Sequence, residues 1–208
     1  MKRVARANLR GPDFSDFGIE AMNQAVVGGA PAHAFSVLCE TARDVAEREA
    51  LLDRVMGPKR RLKSSEKLRR GRLPAEGLAF VARDEAGYLI GSVRLWDVRL
   101  GAEGANALLL GPLAVETALA GRGVGAALMR HAIAEARRLE HTAILLVGDA
   151  AYYERFGFSS KLTGALAMPG PYETDRFLAL ELKSGALANA SGTLCASGRT
   201  GITRNLVA

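Results

Sequence analysis

From Ala34 onward, apolar and polar positions follow first one period and then another, and each switch marks an element. Residues 35–40 have the alternation of a short strand. A helix is predicted from a cap at Asp44 to about Met56, with Val45, Leu51, Leu52 and Val55 as its apolar face and Gly57-Pro58 as its stop. Ser64 or Ser65 caps a second, short helix over 66–70. Two strands, 78–84 and 88–100, flank the turn Glu85-Ala86-Gly87 as an antiparallel hairpin. After a loop, the apolar run 107–115 reads as a further strand. It is interrupted by Gly111-Pro112, and proline cannot donate to a ladder, so pairing is expected to break there.

The helix predicted over 122–140 places Val124, Leu128, Ala132, Ala136 and Leu139 on one stripe. Residues 143–147 are apolar throughout, as a buried parallel strand should be. Asp149 is placed to cap a short helix carrying Tyr152 and Tyr153. A Gly- and Pro-rich loop follows, and 176–183 alternates as a last strand. Residues 1–33 hold no steady period and read as a flexible extension. From Ser184 small residues dominate, and a loosely attached tail is expected over 184–208.

The chemistry concentrates between Leu108 and Phe158. The turn Gly121-Arg122-Gly123-Val124-Gly125 has glycine at alternate positions just before a helix. Glycine permits positive φ and close approach of a ligand to the main chain. The first N–H groups of a helix lack internal partners and, with the helix dipole, favour an anion such as a phosphate. Gly121, Gly123 and Ala126 fit the dinucleotide pattern G-x-G-x-x-G/A, with Asp149 near the place of a ribose-binding acid. That reading lacks context. The turn comes late, after a hairpin, and too few strand–helix units follow it.

In the same stretch Leu113-Ala114-Val115 ends the strand, Gly123-Val124-Gly125 supplies the glycines of a Q/R-x-x-G-x-G/A turn, and Tyr153-Glu154-Arg155-Phe156-Gly157-Phe158 fits Tyr-Glu-x-x-Gly-Phe. With these motifs in this order the stretch resembles the GNAT N-acetyltransferase superfamily and is similar to its small bacterial members. Ala120 stands at the Q/R position, which leaves the phosphates to the backbone or to Arg122.

The resemblance, which extends loosely from about Ala34 to Lys183, implies an α/β fold for 34–183. Its central sheet would be mixed and mostly antiparallel, with a splayed parallel pair and flanking helices. It implies acetyl-CoA as co-substrate, held by Leu113, Ala114 and Val115 at the splay and by Gly121, Arg122, Gly123, Val124, Gly125 and Ala126 at the turn. It implies direct transfer of acetyl to a primary amine, on a small molecule or a peptide, within a ternary complex. Tyr153 would be the general acid at the sulfur and the Val115 N–H the oxyanion donor, and Glu116 is the nearest candidate base. A non-catalytic CoA-binding sensor of the same fold is the alternative, kept open by Ala120 and the lack of a clear base.

Charge and composition add less. The 208 residues carry a net charge of +6, which suits a polyanionic coenzyme, and no nucleic-acid motif accompanies it. The basic run from Arg54 to Arg72 reads either as a solvated helix surface or as attraction for an acidic acceptor or the coenzyme's 3′-phosphate. Trp96 is open between core packing and the cleft, and Tyr172 is a candidate for the acceptor wall. No apolar run is long enough to span a membrane. Cys39 and Cys195 match no metal or redox spacing, so reduced thiols in a cytoplasmic protein are expected and no metal site is indicated. Family members often pair through sheet edges, which would allow a homodimer.

Overall fold

The computed structural model describes residues 34–201; the expected flexible extension 1–33 and residues 202–208 lie outside the described residues. In chain order the elements are β1 (Phe35–Cys39), α1 (Val45–Met56), α2 (Glu66–Arg69), β2 (Ala79–Asp84), β3 (Leu89–Arg99), β4 (Asn106–Val115), α3 (Val124–Arg138), β5 (Ala143–Val147), α4 (Ala150–Tyr153), β6 (Ala165–Ala167), β7 (Phe177–Glu181), β8 (Ser191–Thr193) and β9 (Cys195–Ala196). The main sheet runs β1-β2-β3-β4-β5-β7, with β9 added to β3. Only β4 and β5 pair in parallel within it. The fold is therefore α/β with a mixed, mostly antiparallel sheet.

Strand alternation divides the interior into two cores. Ile144 and Leu146 of β5 and Leu178 and Leu180 of β7 face α3, where Leu128, Met129, Ala132 and Ile133 meet them. Ala143, Leu145, Phe177 and Ala179 point the other way, to Trp96, Val98, Leu166, Leu187 and Leu194. The α3 stripe extends less far than its period suggests: Leu139 is 36% exposed, and Met129 and Ile133 fill the core instead. On α1, Leu51 and Leu52 are buried, but Val45 faces solvent.

The cap of α1 also differs from expectation. The Asp44 carboxylate accepts from Thr41 N at 2.7 Å and Thr41 Oγ1 at 2.8 Å, closing a capping box on the single turn before α1. It also pairs with Arg83 on β2. Neither Ser64 nor Ser65 caps α2 through its side chain. Asp149 does cap α4, accepting from Ala151 N at 3.2 Å.

The largest departure is residues 184–201, which are part of the fold and not a loose tail. β9 continues the ladder of β3 beyond the end of β2, pairing at Val98 and Arg99. Leu73 N donates to Arg199 O at 2.8 Å and Gly201 N to Gly71 O at 2.9 Å, clamping the chain just after α2. The Glu181 carboxylate accepts from Gly185 N at 3.0 Å and Leu187 N at 2.8 Å. Main-chain hydrogen bonds and two buried leucines hold this segment. Its small-residue composition carries no sign of either. Among the described residues, no helix is long and apolar enough to cross a membrane.

Candidate active site

The site forms where the parallel pair comes apart. β4 and β5 are in register only at Leu108–Ile144 and Leu109–Leu145. Beyond Leu109, β4 stays with β3 but crosses an irregularity: Leu110 faces Leu95 and Leu113 faces Val93, so Gly111 and Pro112 together oppose Arg94. This is the break expected of proline, and a bulge bends the strand that carries it. Glu116 N donates to Ile90 O at 2.9 Å, so by antiparallel alternation Ala114 faces β3 with its main-chain groups. Those of Leu113 and Val115 then point toward the gap beside β5.

Just past the gap lies the glycine turn. Gly121 and Gly123 have φ of +78° and +87°, where a side chain would strain the backbone although space is open around both. Gly125 is glycine for another reason, since a β-carbon there would meet the Tyr152 hydroxyl at 2.7 Å. Arg122 N is used within the turn, donating to Leu119 O at 3.1 Å, and α3's first internal bond runs from Ala127 N to Gly123 O. The N–H groups of Val124, Gly125 and Ala126 therefore have no acceptor among the described residues and are open to an anion. The Arg122 and Ala120 side chains are exposed.

Between α1, α2 and the open edge of β4 lies a cleft of about 640 Å³ that reaches Val147 at the end of β5 and Tyr153 on α4. Tyr153 packs edge-on against Tyr152, with ring centroids 4.9 Å apart. Burial first, then the neighbouring Tyr152 and Asp149, pushes the Tyr153 phenol up to about 12. It thus reaches the cleft with its hydroxyl protonated. Glu116 is not part of the cleft lining; it pairs with Arg54 of α1, whose Nε donates to Oε1 at 3.2 Å. Tyr172 also stays out, packing on Phe177 at 5.5 Å between centroids.

Trp96 does both things left open for it. It is 7% exposed, packs in the second core, lines the cleft, and donates Nε1 to the Gly111 carbonyl at 2.6 Å.

The basic run was only half legible. Some of it faces water, but Arg60 and Arg69 turn into the cleft, joined by Arg48 from α1 and Arg94 from β3. Arg94 Nε donates to Glu40 Oε2 at 2.7 Å, and Arg48 reaches the same carboxylate. Arg60 binds Asp53 and Glu49. Burial would raise the Glu49 carboxyl, but hydrogen bonds from Arg60 and Arg48 outweigh it and hold the group below the ordinary carboxylate range. Arg69 is 9% exposed, with Nη2 on Glu66 Oε2 at 3.1 Å. Burial pushes its guanidinium down from its ordinary value against the pull of Glu66. Helical spacing on 54–72 could not reveal which of these bases turn inward, because that depends on how α2 docks on β9 and β3.

Comparison with known proteins agrees with this geometry. Residues 75–160 match the model of the acetyltransferase (GNAT) domain. The chain is similar to the uncharacterized N-acetyltransferase YhbS of Escherichia coli K12, 29% identical over 115 residues, covering 55% of this chain and 69% of YhbS. The crystal structure of Escherichia coli YhbS in complex with CoA superposes with a TM-score of 0.69 at 27% identity, over 82% of this chain and 94% of YhbS. A GNAT family acetyltransferase from Brucella melitensis in complex with acetyl-CoA shares the fold, with a TM-score of 0.57 at 23% identity over 80% and 97% of the two chains. The split sheet and the glycine turn thus lie within the 75–160 stretch that matches the acetyltransferase (GNAT) domain, in a fold shared with the YhbS structure.

Proposed function

We propose that residues 34–201 form an N-acetyltransferase that moves an acetyl group from acetyl-CoA to a primary amine by direct attack within a ternary complex. The observation that carries this reading is the gap between β4 and β5, which leaves the main chain of Leu113 and Val115 unpaired and leads from the glycine turn to the cleft. The turn at Gly121, Gly123, Val124, Gly125 and Ala126 would take the diphosphate. The pantetheine arm would add to β4 as an extra strand. Ala114, turned toward β3, would contribute only packing.

The amine nitrogen attacks the thioester carbonyl, and the Val115 N–H receives the oxyanion. Collapse forms the amide and breaks the C–S bond. The proton lost by the amine ends on the departing sulfur. Tyr153 is assigned the hydrogen bond to that sulfur. A phenol near 12 facing a thiol of ordinary pKa about 8.5 stabilises the thiolate as a donor more readily than it surrenders its proton. We therefore assign proton transfer to water, with Tyr153 holding the sulfur. Glu116, outside the cleft and paired with Arg54, serves better to tie α1 to the start of the turn than as a base. The cationic wall itself disfavours an ammonium and so favours the neutral nucleophile.

The test is a melting series with acetyl-CoA, CoA and NADH, followed by assay of CoA release with amines. Ligands that bind only the folded state raise the melting temperature. A rise with acetyl-CoA and CoA, and amine-dependent CoA release, is expected. Stabilisation by NADH alone would overturn the reading. Coenzyme binding without release to any amine would favour the non-catalytic sensor.

A further inference from the structure

We infer that the acceptor carries an anionic group, a carboxylate or a phosphate, beside the amine that is acetylated, and that Arg69 receives it at the Gly111 bulge. This rests on the acetyltransfer reading above and specifies its second substrate.

The cleft is lined by seven basic side chains and two carboxylates. The carboxylates on and behind this wall are already engaged: Glu40 by Arg48 and Arg94, Glu49 by Arg48 and Arg60, Glu66 by Arg69. A surplus of positive charge is left facing the space where an acceptor must sit. The diphosphate of a coenzyme does not account for it. The glycines and free N–H groups of the turn, which suit a diphosphate, are not part of the cleft lining.

Arg69 is the sharpest feature. It is buried, and its only carboxylate partner among the described residues is reached through Nη2. Nε is buried without a hydrogen-bond partner among the described residues. Nη1 donates to no acceptor among them either, and it points at the bulge: a β-carbon built on Gly111 would lie 4.0 Å from it. A guanidinium withdrawn from water and incompletely paired is costly unless a ligand completes it. Its planar fork suits a carboxylate or phosphate. Gly111 lies two residues before Leu113, where the split exposes the main chain. An anion at Arg69 would therefore hold the acceptor beside the place assigned to the thioester. Arg94, opposite the bulge and with its guanidinium 5.7 Å from the centre of the Trp96 ring, reinforces the same field.

The experiment compares matched amines in CoA release by the full chain: 4-aminobutyrate against 4-aminobutanamide for a carboxylate, and phosphoethanolamine against ethanolamine for a phosphate. At least one anionic member is expected to exceed its neutral partner about 10- to 100-fold in kcat/KM, the range of a charge-assisted hydrogen bond. The better pair identifies the anion. In Arg69→Gln that preference should collapse, and Arg69→Lys should restore part of it. The paired comparison on the unaltered protein stands even if the Gln variant does not fold.

Equal or better use of the neutral amines overturns the inference, as does lack of release from every pair by protein that binds acetyl-CoA. It is also overturned if Arg69→Gln weakens acetyl-CoA binding while leaving the amine preference intact, since the wall would then serve the coenzyme. If acetyl-CoA fails to bind at all, the acetyltransfer reading falls. Arg69 is then judged by melting alone: stabilisation by 4-aminobutyrate or phosphoethanolamine, absent in Arg69→Gln, keeps the anion site, and no stabilisation removes it.

Discussion

Gly148 and Tyr153 are packed so closely that a β-carbon at 148 would stand 2.2 Å from Cε2 of the tyrosine ring. Gly148 directly follows β5, the strand that diverges from β4, and its N–H donates to Arg176 O at 2.9 Å. The missing side chain is what lets the ring lie over the end of β5. In Gly148→Ala the ring must move, because the clash is with a rigid aromatic edge. Overpacking of this kind costs about 1–3 kcal/mol. A lowered melting temperature is expected together with a fall in kcat on the order of tenfold or more, since misplacing a group at the reacting atoms is expensive. Unchanged kcat would mean that the position of Tyr153 is immaterial to turnover.

Tyr153→Phe isolates the hydroxyl. Loss of one hydrogen bond to a departing thiolate should lower kcat about 10- to 100-fold, by the worth of a bond to a charged group, with little change in acetyl-CoA affinity. The raised phenol adds a pH signature. Its folded value, about 12, lies above the ordinary value of 10.0, so the stability contributed by the protonated form is complete below pH 10 and is lost as pH rises toward 12. The rate profile between pH 6 and 9 should show no limb from this residue. A tyrosinate absorbance step from Tyr153 near neutrality would contradict the assignment.

At the turn, Gly123→Ala separates backbone conformation from packing. The position has φ +87° and open space, so the cost is conformational and about 1–2 kcal/mol. Displaced N–H groups at the start of α3 should weaken CoA binding several-fold, read by calorimetric titration. Binding equal to that of the unaltered protein would take the turn out of the coenzyme site.

The segment after 183 yields a stability test. Leu194 is 2% exposed and sits beside Phe177 and Leu145 in the second core. Leu194→Ala should cost about 2–5 kcal/mol. Because residues 199–201 clamp 71–73 behind Arg69, truncation after Lys183 should also raise KM for the acceptor more than for acetyl-CoA. A truncated chain with the melting temperature of the intact one would show the segment to be dispensable.

Features written in contiguous residues were legible from the sequence. Period separates strands from helices, glycine marks Gly121 and Gly123 as positions of positive φ, and Pro112 announces a broken ladder; each is a constraint the main chain imposes locally. The motif at 153–158 placed the tyrosine that reaches the cleft. What tertiary structure alone decided is how distant segments meet. Glu116 is next to the splayed strand in sequence, yet its carboxylate is taken by Arg54, 62 residues away. The segment 184–201 looks featureless because its attachment is by main-chain hydrogen bonds, which every residue can make and no composition displays. The orientation of Arg69 toward Gly111 depends on α2 being held by β9, a contact between segments more than a hundred residues apart. Local preferences settle the elements; which charges are buried, and against what, is settled by their packing.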